Sequence, residues 1–125
     1  MPSAYLIIAH GSREAGSNQA FLSLVRKVKK AAGKSAVVGA FLELASPGVL
    51  EGVERCVSAG ADEVFVVPLM LFPGRHVKRD IPRLIQEAKR RHRNVTFHYS
   101  GPLSDHPMLA ALLARKMMPL KRRKP

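Results

Sequence analysis

The chain has 125 residues, 46% of them hydrophobic, which is enough for one domain with a real core. Aromatic residues are scarce, Trp is absent, and the single cysteine, Cys56, excludes an internal disulfide and any Cys-x-x-Cys metal site. The formal net charge of +12 predicts attraction to polyanions, either nucleic acid or a small molecule rich in carboxylates.

The first residues lack the basic stretch of a secretory signal, and the opening apolar run is too short to cross a membrane. A cytoplasmic location with no membrane partner is expected, and the lone thiol fits a reducing compartment. The run 4–9 reads as a buried strand. A helix over 17–32 follows, with Phe21, Leu24, Val25 and Val28 on one face and Ser17 or Asn18 as its cap. A second strand covers 36–42. Ser46 then reads as an N-cap with Pro47 in the first turn of a helix that buries Val49, Leu50, Val53, Cys56 and Val57 and ends at Gly60.

A third strand covers 63–69. A Gly- and Pro-containing loop leads to a helix over 78–92, although Pro82 disfavours helical geometry at Ile81. A fourth strand covers 94–99. Asp105 is the expected cap of a last helix in which Leu109, Leu112, Leu113 and Met117 share a face. Residues 1–120 read as one domain, and 121–125 as a solvated, disordered basic tail. The strand–helix alternation predicts an α/β fold. It is a single three-layer domain with a four-stranded parallel sheet and helices on both faces. The simplest doubly wound order, 2-1-3-4, places strands one and three side by side.

That order brings the two histidines His10 and His76 to one crevice, at the carboxyl ends of the strands. Glu43, after strand two, stands on the same edge. Two imidazole nitrogens and one carboxylate suit Co²⁺, Ni²⁺, Fe²⁺ or Zn²⁺, and the open positions would leave the metal loosely held. Each residue also has a plainer reading: the histidines as loop or capping residues, Glu43 as the ion-pair partner of Arg13. His92, amid Lys89, Arg90, Arg91 and Arg93, reads as solvated. His98 has no visible partner, and His106 reads as a turn residue. Gly11-Ser12-Arg13 could hold an anion, and Phe72-Pro73-Gly74-Arg75 could lie against a flat acidic ligand. Neither Walker nor dinucleotide glycine spacing is present, so ATP is not implied.

Three segments carry a specific resemblance. Leu6 to Arg13 (LIIAHGSR) is similar to the opening of the sirohydrochlorin cobaltochelatases. Phe41 to Pro47 (FLELASP) resembles their second signature, and Val66 to Pro82 (VVPLMLFPGRHVKRDIP) their third. The blocks fall in the family's order. Met70 and Pro73 stand where other residues are common. The resemblance implies a short, single-domain class II chelatase that inserts Co²⁺ into sirohydrochlorin, a step toward cobalamin. It implies a homodimer that rebuilds a two-lobed cleft, and no permanent cofactor, because the divalent metal is a substrate.

The resemblance assigns His10 as metal ligand and proton acceptor and His76 as second ligand. It assigns Glu43, Leu71, Phe72, Pro73, Gly74, Arg75 and His76 to the tetrapyrrole site. Arg13, Lys78 and Arg79 are candidates for binding the eight substrate carboxylates. Fe²⁺ and Ni²⁺ insertion are variants of the same chemistry, and a tetrapyrrole or metal carrier is the non-catalytic alternative. Nucleic-acid binding through the basic surface is the third reading. It lacks a recognised motif and the aromatics for base stacking.

Overall fold

The computed structural model describes residues 2–122. Four strands, β1 (Ser3–Ala9), β2 (Ala36–Phe41), β3 (Glu63–Pro68) and β4 (Thr96–Tyr99), form one all-parallel sheet. The order is β2-β1-β3-β4, as the chain pattern predicts. Four helices connect or follow them: α1 (Ala15–Ala32), α2 (Val49–Ser58), α3 (Arg75–Arg91) and α4 (Met108–Arg122).

The two faces of the sheet are filled differently. Side chains alternate along a strand, so Leu6 and Ile8 of β1 join Val64 and Val66 of β3 on one face. There α2 and α3 bring Val53, Cys56, Ile81 and Ile85 to complete the main core. Gly52 lets α2 come close, since a Cβ there would lie 2.8 Å from the Leu6 side chain and 3.0 Å from that of Ala40. On the other face α1 lies over β2, and Phe21 meets Phe41 edge-on with ring centroids 5.2 Å apart. Only Phe21 and Val25 of α1 are buried; Leu24 and Val28, expected in the same stripe, are exposed. A helix on the β2 edge finds sheet under only part of its apolar arc.

Several boundaries move for identifiable reasons. Helix α2 starts at Val49 with Gly48 at its N-cap, not at Ser46-Pro47. The Pro47 carbonyl accepts from Phe41 N–H at 2.8 Å and Gly48 bridges to Phe41, so these residues extend the sheet before the helix begins. Helix α3 starts at Arg75 and runs through Pro82. Burial of Val77, Ile81, Ile85 and Ala88 outweighs a helix-interior proline, which costs roughly 3 kcal/mol. Before α4 a short 3-10 turn spans Leu103–Asp105, and the His106 imidazole Nδ1, not Asp105, accepts the Met108 N–H at 3.1 Å. Helix α4 includes Lys121 and Arg122, the first residues of the expected tail, whose remainder lies outside the described residues.

The remaining histidines have partners that the sequence did not show. His92 is largely covered and meets Glu54 at 3.0 Å. His98 stacks on Phe65 with centroids 4.7 Å apart and bonds Glu63 at 2.9 Å. Burial pushes the Cys56 thiol up to about 11, which leaves it inert. No helix among the described residues is long and apolar enough to cross a membrane.

The His98 hydrogen bond holds the Glu63 carboxyl below its ordinary value, against a smaller opposing effect of desolvation. A depressed carboxyl contributes stability above the ordinary carboxylate range and loses it as pH falls through the native value. His98→Phe keeps the ring stack but removes the bond. Carboxylate-resolved NMR titration is expected to show Glu63 moving up toward its ordinary value in that variant. An unmoved titration would mean that the His98 bond does not hold the carboxyl.

Candidate active site

Strand β1 ends at Ala9, but its ladder continues. Leu42 N–H donates to the Ala9 carbonyl at 2.8 Å and Glu43 N–H to the His10 carbonyl at 3.0 Å. On the other flank Leu69 N–H donates to Ile8 at 2.7 Å. His10 and Glu43 therefore stand side by side on the carboxyl edge of the sheet. Gly11, with φ +98°, turns the chain away; a Cβ there would sit 1.7 Å from the Glu43 carbonyl oxygen. Leu44 also has positive φ, 68°, an uncommon conformation for a bulky residue, placed directly after Glu43.

Helix α3 supplies the facing wall. Its early start places His76, Asp80 and Arg83 at i, i+4 and i+7, one helical face. These three line a cleft of about 460 Å³ together with His10, Glu43, Leu42, Val77 and Leu84. The structure thus brings His10, Glu43 and His76 to one cavity.

Each imidazole has one nitrogen engaged. His10 Nε2 lies 2.8 Å from Glu43 Oε1. An ionised carboxylate only accepts, so in the neutral ring Nε2 carries the proton and Nδ1 keeps its lone pair. Both side chains are more than half exposed (54% and 56%), so the pair adds little stability. Its consequence is orientation, as in carboxylate–histidine–metal arrangements. Glu43 partners His10, not Arg13. His76 Nδ1 lies 2.9 Å from an Arg79 guanidinium nitrogen, which can only donate. That bond occupies the lone pair of neutral His76. Among the described residues no three His, Cys, Asp or Glu side chains stand close enough to hold a metal ion.

The other expected site residues are distributed more widely. Phe72, Pro73 and Lys78 line a separate cleft of about 330 Å³ with Tyr99, Pro102, Ser104 and Asp105. Burial there raises the Tyr99 phenol above its ordinary value. Leu71 is exposed on the same connection, Gly74 is the N-cap of α3, and Arg75 is exposed in that helix's first turn. Arg13 is exposed and outside the lining of the histidine cleft. The loop around it is closed on itself: Ser12 N–H donates to Asn18 Oδ1 at 3.0 Å and Asn18 Nδ2 to the Ser12 carbonyl at 2.7 Å. Asn18 is therefore a loop clamp, and Glu14 stands at the N-cap of α1. Asp80 and Arg83 are the charged cleft residues that sequence reasoning missed, with Leu42, Val77 and Leu84 as apolar lining. Their spacing from His76 was available, but it carries meaning only once α3 begins at residue 75.

A family profile described as CbiX matches residues 4–119. This chain belongs to the CbiX family. It is 36% identical over 104 residues to a chloroplastic sirohydrochlorin ferrochelatase of Arabidopsis thaliana, covering 83% of this chain and 46% of the relative. It is 35% identical over 113 residues to a sirohydrochlorin cobaltochelatase of Priestia megaterium, covering 90% and 36%. The chain spans less than half the length of these two relatives. Among solved structures, a CbiX protein of cobalamin biosynthesis from Marinobacter aquaeolei VT8 superposes with TM-score 0.81 and 30% identity, covering 98% of this chain and 100% of that one. The sirohydrochlorin chelatase SirB of Bacillus subtilis subspecies spizizenii, in complex with cobalt, gives TM-score 0.86 and 30% identity over 96% of this chain and 51% of that one.

The geometry of this CbiX edge depends on the close approach at Gly11. Gly11→Ala is expected to lower stability by more than about 2 kcal/mol, because both the positive φ and the Glu43 carbonyl oppose a Cβ. Urea unfolding would show it, and a midpoint like that of the wild type would mean the loop yields freely.

Proposed function

We propose that this protein inserts a divalent metal, Co²⁺ by preference, into sirohydrochlorin. The observation that carries the reading is the His10–Glu43 pair set across one cleft from His76. The cobaltochelatase relative supports Co²⁺, and the ferrochelatase relative makes Fe²⁺ insertion the second reading. Ni²⁺ belongs to the same chemistry, since imidazole accepts all three ions. The metal and the tetrapyrrole are both substrates, and no permanent cofactor enters the scheme. A cytoplasmic homodimer is part of the same proposal.

The chemistry follows from the free nitrogen of His10. Insertion must strip ligands from the metal and remove two pyrrole N–H protons. His10 Nδ1 can hold the metal at first through its lone pair. As the metal passes to the pyrrole nitrogens, the same lone pair accepts one of the two released protons and solvent water takes the other. Glu43 then faces an imidazolium and offsets its charge. Two protein imidazoles, His76 serving once Arg79 releases its Nδ1, would hold a metal weakly enough for it to leave. Arg83, in the cleft wall, is the cation placed to meet a substrate carboxylate.

The test is anaerobic mixing of protein and sirohydrochlorin with Co²⁺, Fe²⁺ or Ni²⁺, followed by absorbance. Insertion is expected well above the uncatalysed rate, reduced about 100-fold or more in His10→Ala. His76→Ala and Glu43→Gln are expected to be slower by smaller factors. Tight tetrapyrrole binding without acceleration would overturn the enzyme and leave a carrier. Neither binding nor insertion would favour the nucleic-acid reading, in which binding to nucleic acid falls steeply with salt and ignores the histidine variants.

Arg79 gives a separate expectation. Arg79→Ala frees His76 Nδ1 and removes a positive charge beside it. Both effects favour a bound cation, so calorimetric titration is expected to show Co²⁺ binding several-fold tighter than in the wild type. Weaker binding would show that Arg79 supports the metal site instead of competing with it.

A further inference from the structure

The amino edge of the sheet carries a second cavity, at the opposite end of β1 from the histidine cleft. It measures about 550 Å³, against about 460 Å³ for that cleft, and falls within the size range of small-molecule sites. Small side chains leave the space unfilled: Ala36 at the start of β2, and Ala59 and Ala61 after α2. Tyr5 adds an aromatic wall. Lys29, Lys34 and Ser35 supply ammonium and hydroxyl groups, and no Asp or Glu lines the cavity.

A turn brings the two lysines together. On one continuous helix, residues 29 and 34 would point about 140° apart. Helix α1 stops at Ala32 instead, and Gly33, with φ 71° and ψ −121°, breaks the spiral so that Lys34 lines the same cavity as Lys29. Neither lysine is neutralised. The bases of α2 and α3 have acidic partners on their own helices, Arg55 with Glu51 and Arg90 with Glu87. Residues 15–42 include no Asp or Glu, and neither Lys29 nor Lys34 is ion-paired among the described residues. Basic residues in the last turn of a helix offset its dipole, which accounts for Lys29 and Lys30. Lys34 lies beyond the helix and is not accounted for in that way.

We propose that this cavity binds a small organic polyanion, whose carboxylate or phosphate groups meet Lys29 and Lys34 while its carbon body lies against Tyr5 and the alanines. The charged groups of the lining are all donors, which selects for negative charge. The volume is many times the roughly 30 Å³ of a water molecule, so it suits an organic anion better than a single inorganic one. Ser3 also lines the cavity, but its hydroxyl donates to Glu63 Oε1 at 3.2 Å. The Glu63 carboxylate, bonded to His98 as well, stands outside the lining. None of His10, Glu43 and His76 contributes, so the site is separate from the one proposed for metal insertion.

The test is calorimetric titration of the full chain at fixed ionic strength, with citrate and with inorganic pyrophosphate as probes. One bound molecule per chain is expected, and the tighter probe tells whether carboxylate or phosphate is the preferred head group. Lys29→Gln combined with Lys34→Gln is expected to weaken binding about ten-fold or more. Arg26→Gln combined with Lys30→Gln removes the same charge from exposed positions of the same helix outside the cavity, and is expected to change binding by less than about two-fold. Ala59→Leu keeps both lysines and fills the space from an exposed position, so it is expected to weaken binding as the lysine pair does. No binding of either probe at millimolar concentration would overturn the proposal. So would equal losses in the two charge variants, which would mean general attraction to a basic chain. Undiminished binding in Ala59→Leu would also overturn it, because the lysines would then act without the cavity. Metal insertion is expected to be unchanged in the Lys29 and Lys34 variant, so this proposal and the chelatase reading fail separately.

Discussion

Strand β1 has hydrogen-bonded neighbours on both edges, and the rest of the molecule is arranged around that fact. With β2 on one side and β3 on the other, the connections leaving β1 and β3 run in opposite directions and to opposite faces. The carboxyl edge between them is left open, because no single helix can cover a point where the chain turns both ways. His10 follows the last residue of β1, so it emerges at this opening. The ladder beyond the strand ends then fixes what stands beside it. Backbone bonds from Leu42, Glu43 and Leu69 hold the three chain exits in register, and Gly11 allows the Glu43 carbonyl to approach closely. The position of the site is thus a by-product of backbone pairing, set before any side chain chooses a rotamer.

The side chains at that edge contribute little to holding the fold. The main core lies between the sheet and helices α2 and α3, among Leu6, Ile8, Val64, Val66 and Ile81. The pairs at the opening are solvent-exposed and worth little as salt bridges. What they do is choose which nitrogen of each ring is free. Stability and chemistry are therefore separated in space: the interior holds the edge still, and the edge is occupied by groups that can exchange protons and ligands without unfolding anything.

The strand order and the convergence of His10, Glu43 and His76 were legible because continuous apolar runs and strand–helix alternation leave few topologies. Pro47 and Pro82 misled in opposite directions. Pro47 looked like a helix start but lies in an extension of the sheet, a tertiary contact invisible to local pattern. Pro82 looked like a helix boundary but sits within α3, where four buried residues outweigh its cost. That one shift hid Asp80 and Arg83, since His76 was read as a loop residue and its i+4 and i+7 neighbours went uncounted. Likewise Asn18 carries the signature of a helix cap, and only the folded loop shows it clamping Ser12. The apolar face of α4 was visible in the sequence; that it would leave Met108, Leu112, Leu113 and Met117 exposed was not.

The bond between Arg79 and His76 has a thermodynamic corollary for the proposed reaction. Arg79 is shared between two potential partners, the imidazole lone pair and any carboxylate that enters the cleft. A polycarboxylate that draws the guanidinium away uncovers the nitrogen a metal would use. The two substrates would then reinforce each other, and linkage makes that reinforcement mutual: whatever factor the tetrapyrrole adds to metal affinity, the metal must add to tetrapyrrole affinity. One arginine, three residues along a helix from the ligand it covers, would make the cleft reluctant to take up metal until there is a ring to receive it.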